Sequence, residues 1–455
     1  MSDFSIKNGI LEKYTGSASS VVVPYGVTDI DRSAFFWGDM ERVLIPESVL
    51  RIDNGAFESC MKLERIDLPS RLEHIGSYAF SNCGALREVM IPDSVRVMGD
   101  NVFDGCDELE TVWLSEGLEK LGDAVFMGCS ALESIHLPST LSEMGVFVFK
   151  ECPNLTSITV EEGSPYFKSV DGNLYSADGS ILYRYAPGKQ ASEFRIPYGV
   201  TEIFVGAFSQ CEYLQSVIFP DSVRKIGYNA FEGSGLTSVK LPFGVSRVEQ
   251  GTFVSCKELE RVELHSGITY IGRAAFMECE SLAEITLPMG LQVIRDSAFA
   301  VCSRLTDLTV PVSVAEIGNG AFQGCKRLCS VSIENIDVTI KAEPFYDCGS
   351  IEYIHCGYSV AAVLNSKLLA SALRCFLLRY AEGDVSDGEA RGWRALIESE
   401  EARCVGEMKD NVVFIKFMID QGMLPPVKAK RLLERLVSLE CRAVVLEYLR
   451  SFGEN

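Results

Sequence analysis

Phenylalanine returns every 22 or 23 residues along most of this chain: Phe35, Phe57, Phe80, Phe103, Phe126 and Phe149, then Phe208, Phe231, Phe253, Phe276, Phe299, Phe322 and Phe345. A fixed period of that length excludes one ordinary globular core and requires an array in which each unit is covered by its neighbours. A complete unit is LERIDLPSRLEHIGSYAFSNC (63–83), with near-copies LREVMIPDSVRVMGDNVFDGC (86–106) and LTDLTVPVSVAEIGNGAFQGC (305–325). Only the interval from Phe149 to Phe208 breaks the step.

Within a unit Leu63, Ile66 and Leu68 precede Pro69, then come Leu72, Ile75 and Gly76, and finally Ala79 and Phe80. That order fits no amphipathic helix. It suits short strands joined by turns, each turn of chain offering inward side chains that the next one covers. Proline cannot donate to a ladder and marks the end of the first strand, while Gly76 suits a corner with an unusual backbone angle. The expected product is a right-handed, mainly β solenoid with coils about 5 Å apart. The pattern LxxIxLPxxLxxIGxxAFxxC resembles the BspA-type leucine-rich repeat over about residues 20 to 356. The resemblance implies a leucine-rich repeat fold of about 13 coils of 22–23 residues. It also implies a binding or adhesion role, the family being known mainly from bacterial surface proteins.

The interrupted step holds EEGSPYFKSVDGNLYSADGSILYRYAPGKQ, where Asp178-Gly179 between apolar runs signals a hairpin. GILEKYTG and VVVPYGVT (9–28) parallel SILYRYAPG and FRIPYGVT (180–201), so the insert reads as an internal copy of the capping segment. It either protrudes and restarts the array or forms a ligand loop. From about Gly357 the spacing turns helical, with segments 359–381, 387–408, 411–421, 425–438 and 440–451. The last three are similar to ankyrin-like helical hairpins. The expected organisation is an N-terminal cap with a first array (1–157), a hairpin segment (158–195), a second array (196–358) and an all-α C-terminal domain (359–455). Val360, Val363, Leu364, Leu368 and Leu369 give the first helix an apolar stripe that can seal the last coil.

The net charge of -21 opposes docking on nucleic acid or on an anionic membrane. Fourteen basic and fourteen acidic residues lie from 359 onward, leaving 28 basic against 49 acidic in the repeats, so the array carries the whole imbalance. No apolar run is long and clean enough to span a bilayer, since Val360 to Tyr380 contains Asn365, Lys367 and Arg374. The opening residues have no apolar leader core, which points to the cytoplasm as the sequence stands, and to the cell surface or secretion if a leader preceded it.

Chemistry is poorly supported. Of 16 cysteines, Cys60, Cys83, Cys106, Cys129, Cys152, Cys211, Cys256, Cys279, Cys302, Cys325 and Cys348 share one repeat position, where Ser234 and Gly38 also occur. An odd number of thiols at one corner argues for a small buried spine over a disulfide framework, and unpaired thiols fit a reducing compartment. No CxxC pair exists; the nearest spacing is Cys325 with Cys329. His74, His136, His265 and His355 are scattered, and no phosphate loop is present. The reading is a non-enzyme with no cofactor and no metal.

What remains is surface. In LxxIxLP the third and fifth residues face outward by the period of two. The run Met90, Trp113, His136 at the fifth position displays large groups on three successive coils, with Arg65, Glu88 and Thr111 beside it at the third. An exposed Trp and Met among polar neighbours resemble a recognition patch; the alternatives are that the chain's own insertion covers this sheet or that the single Trp is incidental. The expected function is a protein-interaction scaffold with a protein or glycan partner; the alternative is an exported surface adhesin binding host protein or glycan.

Overall fold

The computed structural model describes residues 3–335, 337–362 and 364–452. It is a β solenoid of about 15 turns followed by a helical region. Its contacts divide it into two compact units, one running up to Val245 together with Glu249–Leu259, the other Ser246–Val248 together with the chain from Glu260 onward.

In the first unit each coil contributes two short strands to two parallel sheets. The longer strands, Ser20–Val22, Arg42–Leu44, Arg65–Asp67, Glu88–Met90, Thr111–Trp113, Ser134–Leu137 and Ser157–Val160, follow in chain order across one sheet. The two-residue strands, such as His74–Ile75 and Val97–Met98, make the other. Val43, Ile66, Val89 and Val112 point inward from the middle of their strands while both neighbours face out or to the rim. The phenylalanine rings stack: Phe35–Phe57 at 4.7 Å, Phe57–Phe80 at 5.3 Å, Phe80–Phe103 at 5.5 Å and Phe103–Phe126 at 5.7 Å between centroids.

Two tyrosines extend this column where the sequence has no ladder phenylalanine. Tyr14 lies 5.3 Å from Phe35, and Tyr185 lies 5.5 Å from Phe208. Tyr14 ends the second strand of one hairpin, and Tyr185 directly follows the second strand of another. Strands Phe4–Lys7 and Ile10–Tyr14 pair antiparallel, and the second joins the parallel sheet through Leu11 opposite Ile30. Strands Asn173–Ser176 and Ile181–Arg184 pair antiparallel, and Leu182 stands opposite Ile203. The two extra turns account for the difference between thirteen phenylalanines and about 15 turns.

The corner glycine acts differently from expectation. Gly76 keeps a negative φ, and its missing side chain matters because a Cβ would stand 2.6 Å from the backbone nitrogen of Asn54 in the preceding coil. The left-handed residues are instead Tyr78 (φ 62) and Asn82 (φ 58), either side of Phe80. Beside the glycine runs a polar ladder: the Ser77 amide donates to Asn54 Oδ1 (2.8 Å), the Asp123 amide to Asp100 Oδ1 (2.9 Å) and the Val146 amide to Asp123 Oδ1 (2.8 Å). Part of the acidic content thus closes backbone hydrogen bonds between coils and is more than a solvated face.

In the second unit the strands Arg247–Val248, Tyr270–Ile271, Val293–Ile294, Glu316–Ile317 and Thr339–Ile340 form one parallel sheet, and Asp307–Val310, Ser330–Ile333 and Tyr353–His355 another. Helices follow: α1 (Tyr358–Ala361), α2 (Ser366–Glu382), α3 (Asp387–Ser399), α4 (Glu401–Met408), α5 (Val412–Asp420), α6 (Pro426–Arg435) and α7 (Leu439–Arg450). The stretch 359–381 is two helices, because the Asn365 side chain accepts the Leu368 amide and starts α2 afresh. The stretch 387–408 breaks at Glu400 (φ -113), where the Ser399 hydroxyl turns back onto the Leu396 carbonyl. Helix α2 packs against the strand Tyr353–His355, with Leu368, Leu369 and Leu373 buried; Val363 of the expected stripe lies outside the described residues. The same helix also meets the helical core, Phe376 stacking on Trp393 at 4.8 Å and meeting Phe417 edge-on at 5.2 Å.

Candidate functional site

The outward rows of the long-strand sheet are held in register by parallel pairing, so residues 22 or 23 apart become neighbours about 4.8 Å away. Trp113 stands opposite Met90 on one side and His136 on the other, Thr111 opposite Glu88, and Glu88 opposite Arg65. All six expected residues therefore share one sheet face. Met90 is 64% exposed and Trp113 47% exposed, whereas the stacked phenylalanines are fully buried.

Four of the six line one open groove of about 580 Å³: Arg65, Glu88, Met90 and Trp113. Thr111 lies beside it on the strand of Trp113, and His136 on the next strand, Ser134–Leu137. Thr111 is half-buried, and His136 is drawn toward the next coil, with Nδ1 2.9 Å from Thr159 Oγ1 and Nε2 3.0 Å from Glu161 Oε2. The groove rim holds Glu47, Asp67 and Asp93, with Ser70 and Ser115. Arg65 is its sole cationic side chain and donates to Asp67 at 3.2 Å. Glu47 accepts from the Ser70 amide (3.0 Å) and hydroxyl (2.8 Å), and Ser115 donates to the Ile91 carbonyl.

Two members of the same row escaped the sequence reading. Val22 is 61% and Leu44 49% exposed, and Val22 stands opposite Leu44, which stands opposite Asp67. Their signal was the fifth position itself, present in VVVP (21–24) and in the strand before Pro46; the frame simply starts two coils earlier. The exposed row is thus Val22, Leu44, Asp67, Met90, Trp113, His136, apolar at four of its six places.

The cysteines form a second line of equivalent groups, and it is closed. None of the eleven ladder cysteines is in a disulfide, and all are buried. Each donates to the carbonyl of the phenylalanine one coil back where the geometry repeats, as Cys83 to Phe57 (3.2 Å), Cys106 to Phe80 (3.2 Å) and Cys129 to Phe103 (3.3 Å). Burial pushes the Cys106, Cys152 and Cys211 thiols up to about 12, so they stay protonated and act as donors. At the break in the array Arg184 takes over: its Nη2 donates to the Phe149 carbonyl at 2.9 Å and to the Ser209 carbonyl at 3.0 Å, and its Nη1 to Ser209 Oγ at 2.9 Å and to the Gly206 carbonyl. Its inward position follows from strand alternation with Leu182, a signal the sequence reading passed over.

The profile of the BspA type leucine rich repeat region (6 copies) matches residues 5–130, 52–175, 183–304 and 246–371, most of the chain. The structure of a leucine rich cell surface protein from Faecalibacterium prausnitzii A2-165 is 27% identical, covering 76% of this chain and 89% of that one, at TM-score 0.49. A leucine-rich repeat protein from Eubacterium ventriosum ATCC 27560 is 24% identical over 69% of this chain and 88% of its own, at TM-score 0.57, a likeness of fold. One from Bacteroides ovatus ATCC 8483 is 28% identical over 73% and 94%, at TM-score 0.45. No curated protein matches the sequence. Among the described residues no helix is long and apolar enough to cross a membrane. With its repeat, its stacked column and its profile match in agreement, the chain belongs to the BspA type leucine rich repeat family.

Proposed function

We propose that this protein is a non-catalytic scaffold that binds a protein partner on the exposed face of its long-strand sheet, centred on Met90 and Trp113. The observation that carries the reading is the pairing of a large aromatic and a large flexible apolar side chain in register on successive strands, both substantially in water. Burying such surface is worth about 25 cal/mol per Å², and Trp anchors recur at the centres of interfaces. Residues that point away from the core contribute little to the fold, so function can be removed without unfolding the array. The test compares the full chain with the Trp113→Ala, Met90→Ala double variant: partner capture falls by about tenfold or more, equivalent to about 1.4 kcal/mol, while the melting temperature stays put. A melting temperature lowered as far as that of a ladder-phenylalanine variant would show that both side chains serve the core.

The partner's compartment is a separate matter that one thiol reports on. Cys329 is exposed, whereas the other cysteines are buried. Burial shields the spine in an oxidising medium as well as in a reducing one, so unpaired ladder thiols do not select the cytoplasm over the cell surface. Oxidation of Cys329 in protein isolated from its native host would favour the exported adhesin reading.

A further inference from the structure

The groove is apolar on its floor and anionic on its rim. Four carboxylates line it, Glu47, Asp67, Glu88 and Asp93, against the single cation Arg65. Two of the four are already engaged, Glu47 by Ser70 and Asp67 by Arg65. Among the described residues Glu88 and Asp93 have no ion pair or side-chain hydrogen bond, and they belong to the same coil as Met90, on either side of it along the chain. They sit in an array that is anionic as a whole, with 28 basic against 49 acidic residues in the repeats.

We propose that the groove takes a cationic polypeptide segment bearing one bulky apolar side chain, which rests on Met90 and Trp113 while its flanking lysines or arginines meet Glu88 and Asp93. The inference rests on the reading of this face as a protein-binding surface and names the partner's chemistry. An anionic segment or glycan would meet a rim of like charge, and a neutral sugar would leave two carboxylates unpaired at the edge of the contact. The indole of Trp113 adds a face on which a guanidinium or ammonium can lie. The open length crosses the strands Arg65–Asp67, Glu88–Met90 and Thr111–Trp113, about 10 Å at the usual strand spacing, which suits a few residues of extended or helical chain better than a single small cation.

The experiment measures anisotropy of fluorescein-labelled synthetic peptides with the full-length protein. One peptide has a central phenylalanine flanked by lysines, the second replaces the lysines with glutamates, and the third replaces the phenylalanine with serine. The lysine–phenylalanine peptide is expected to bind at least about tenfold more tightly than either control, with affinity falling as salt is added. Glu88→Gln with Asp93→Asn, or Trp113→Ala, should each weaken it about tenfold. Glu284→Gln with Asp307→Asn removes the same charge from outward positions in the other unit and should leave it unchanged. Equal binding of the glutamate or serine peptide, an effect of the control variant as large as that of the groove variant, or preference for a neutral oligosaccharide would each overturn the proposal. If the Trp113, Met90 variant loses captured partner while the lysine–phenylalanine peptide fails to bind, the scaffold reading stands and the cationic class falls; if capture is also unaffected, both fall.

Discussion

At the scale of single residues, stability depends on a column one ring wide. Phe126 lies 5.7 Å from Phe103 and 5.9 Å from Phe149, near-parallel to both, so its removal empties a site that rigid coils above and below cannot fill. Phe126→Ala is expected to cost about 3–5 kcal/mol in urea unfolding. Cys129→Ser should cost less, under about 2 kcal/mol, because a hydroxyl can still donate to the Phe103 carbonyl and Ser234 already occupies the same repeat position. Arg184 is the least replaceable polar residue. Without it three buried carbonyls lose a donor, at about 1–3 kcal/mol each, so Arg184→Met should destabilise the first unit at least as much as a lost ring. A melt of Arg184→Met superimposing on that of the parent would refute its role in splicing the two parts of the column.

At the scale of elements, the last strand and helix α2 form the joint most sensitive to conditions. His355 sits on the strand Tyr353–His355, and burial followed by the nearby Arg379 guanidinium lowers its pKa below the usual 6.5. Arg379 Nη1 is 3.5 Å from His355 Nε2 and pairs with the buried Glu389 at 2.9 Å. The fold therefore prefers neutral imidazole. Its contribution is complete above the unfolded value and is lost as the pH falls from about 6.5 toward the folded value. His74, lowered by burial and by Arg51, acts in the same sense in the first unit. Thermal melts at neutral and mildly acidic pH should show stability falling on acidification, and His74→Gln with His355→Gln should flatten that fall. The joint also predicts truncation behaviour. A chain ending at Cys356 bares the face that α2 covers and should aggregate. One ending at Gly383 keeps that cover but bares Phe376, so it should remain folded yet bind a hydrophobic dye in solution.

At the scale of the whole molecule, the charge of -21 is distributed by two rules. Some carboxylates are structural, as Asp100 and Asp123 are in accepting amides from the next coil; others, such as Glu88 and Asp93, have no such task. The surplus repels itself, so added salt should raise the melting temperature through screening, over the range in which the Debye length shrinks below about 10 Å. A melting temperature falling with added sodium chloride would show that ion pairs such as Arg87–Glu110 and Lys120–Glu143 outweigh the repulsion.

The repeat made the fold legible because, in a solenoid, the partner of a residue is its own copy 22 or 23 positions away. Period, alternation and small corner residues therefore contain both sides of nearly every core contact, and the outward row from Asp67 to His136 follows from the same alternation. Tertiary structure alone decided what the period does not carry. Arg184 reaches carbonyls from 22 to 35 residues away across the break. Gly76 is required by the backbone of a neighbouring coil and not by its own dihedral angle. The helical region has no repeat to supply partners, and there the split at Glu400 and the packing of α2 on α3 depend on aperiodic contacts, the Ser399 hydroxyl with the Leu396 carbonyl and Phe376 with Trp393. The groove is of the same kind: each side chain was visible as outward, but that two carboxylates would lack a partner beside an exposed indole depends on which neighbours pair first in space.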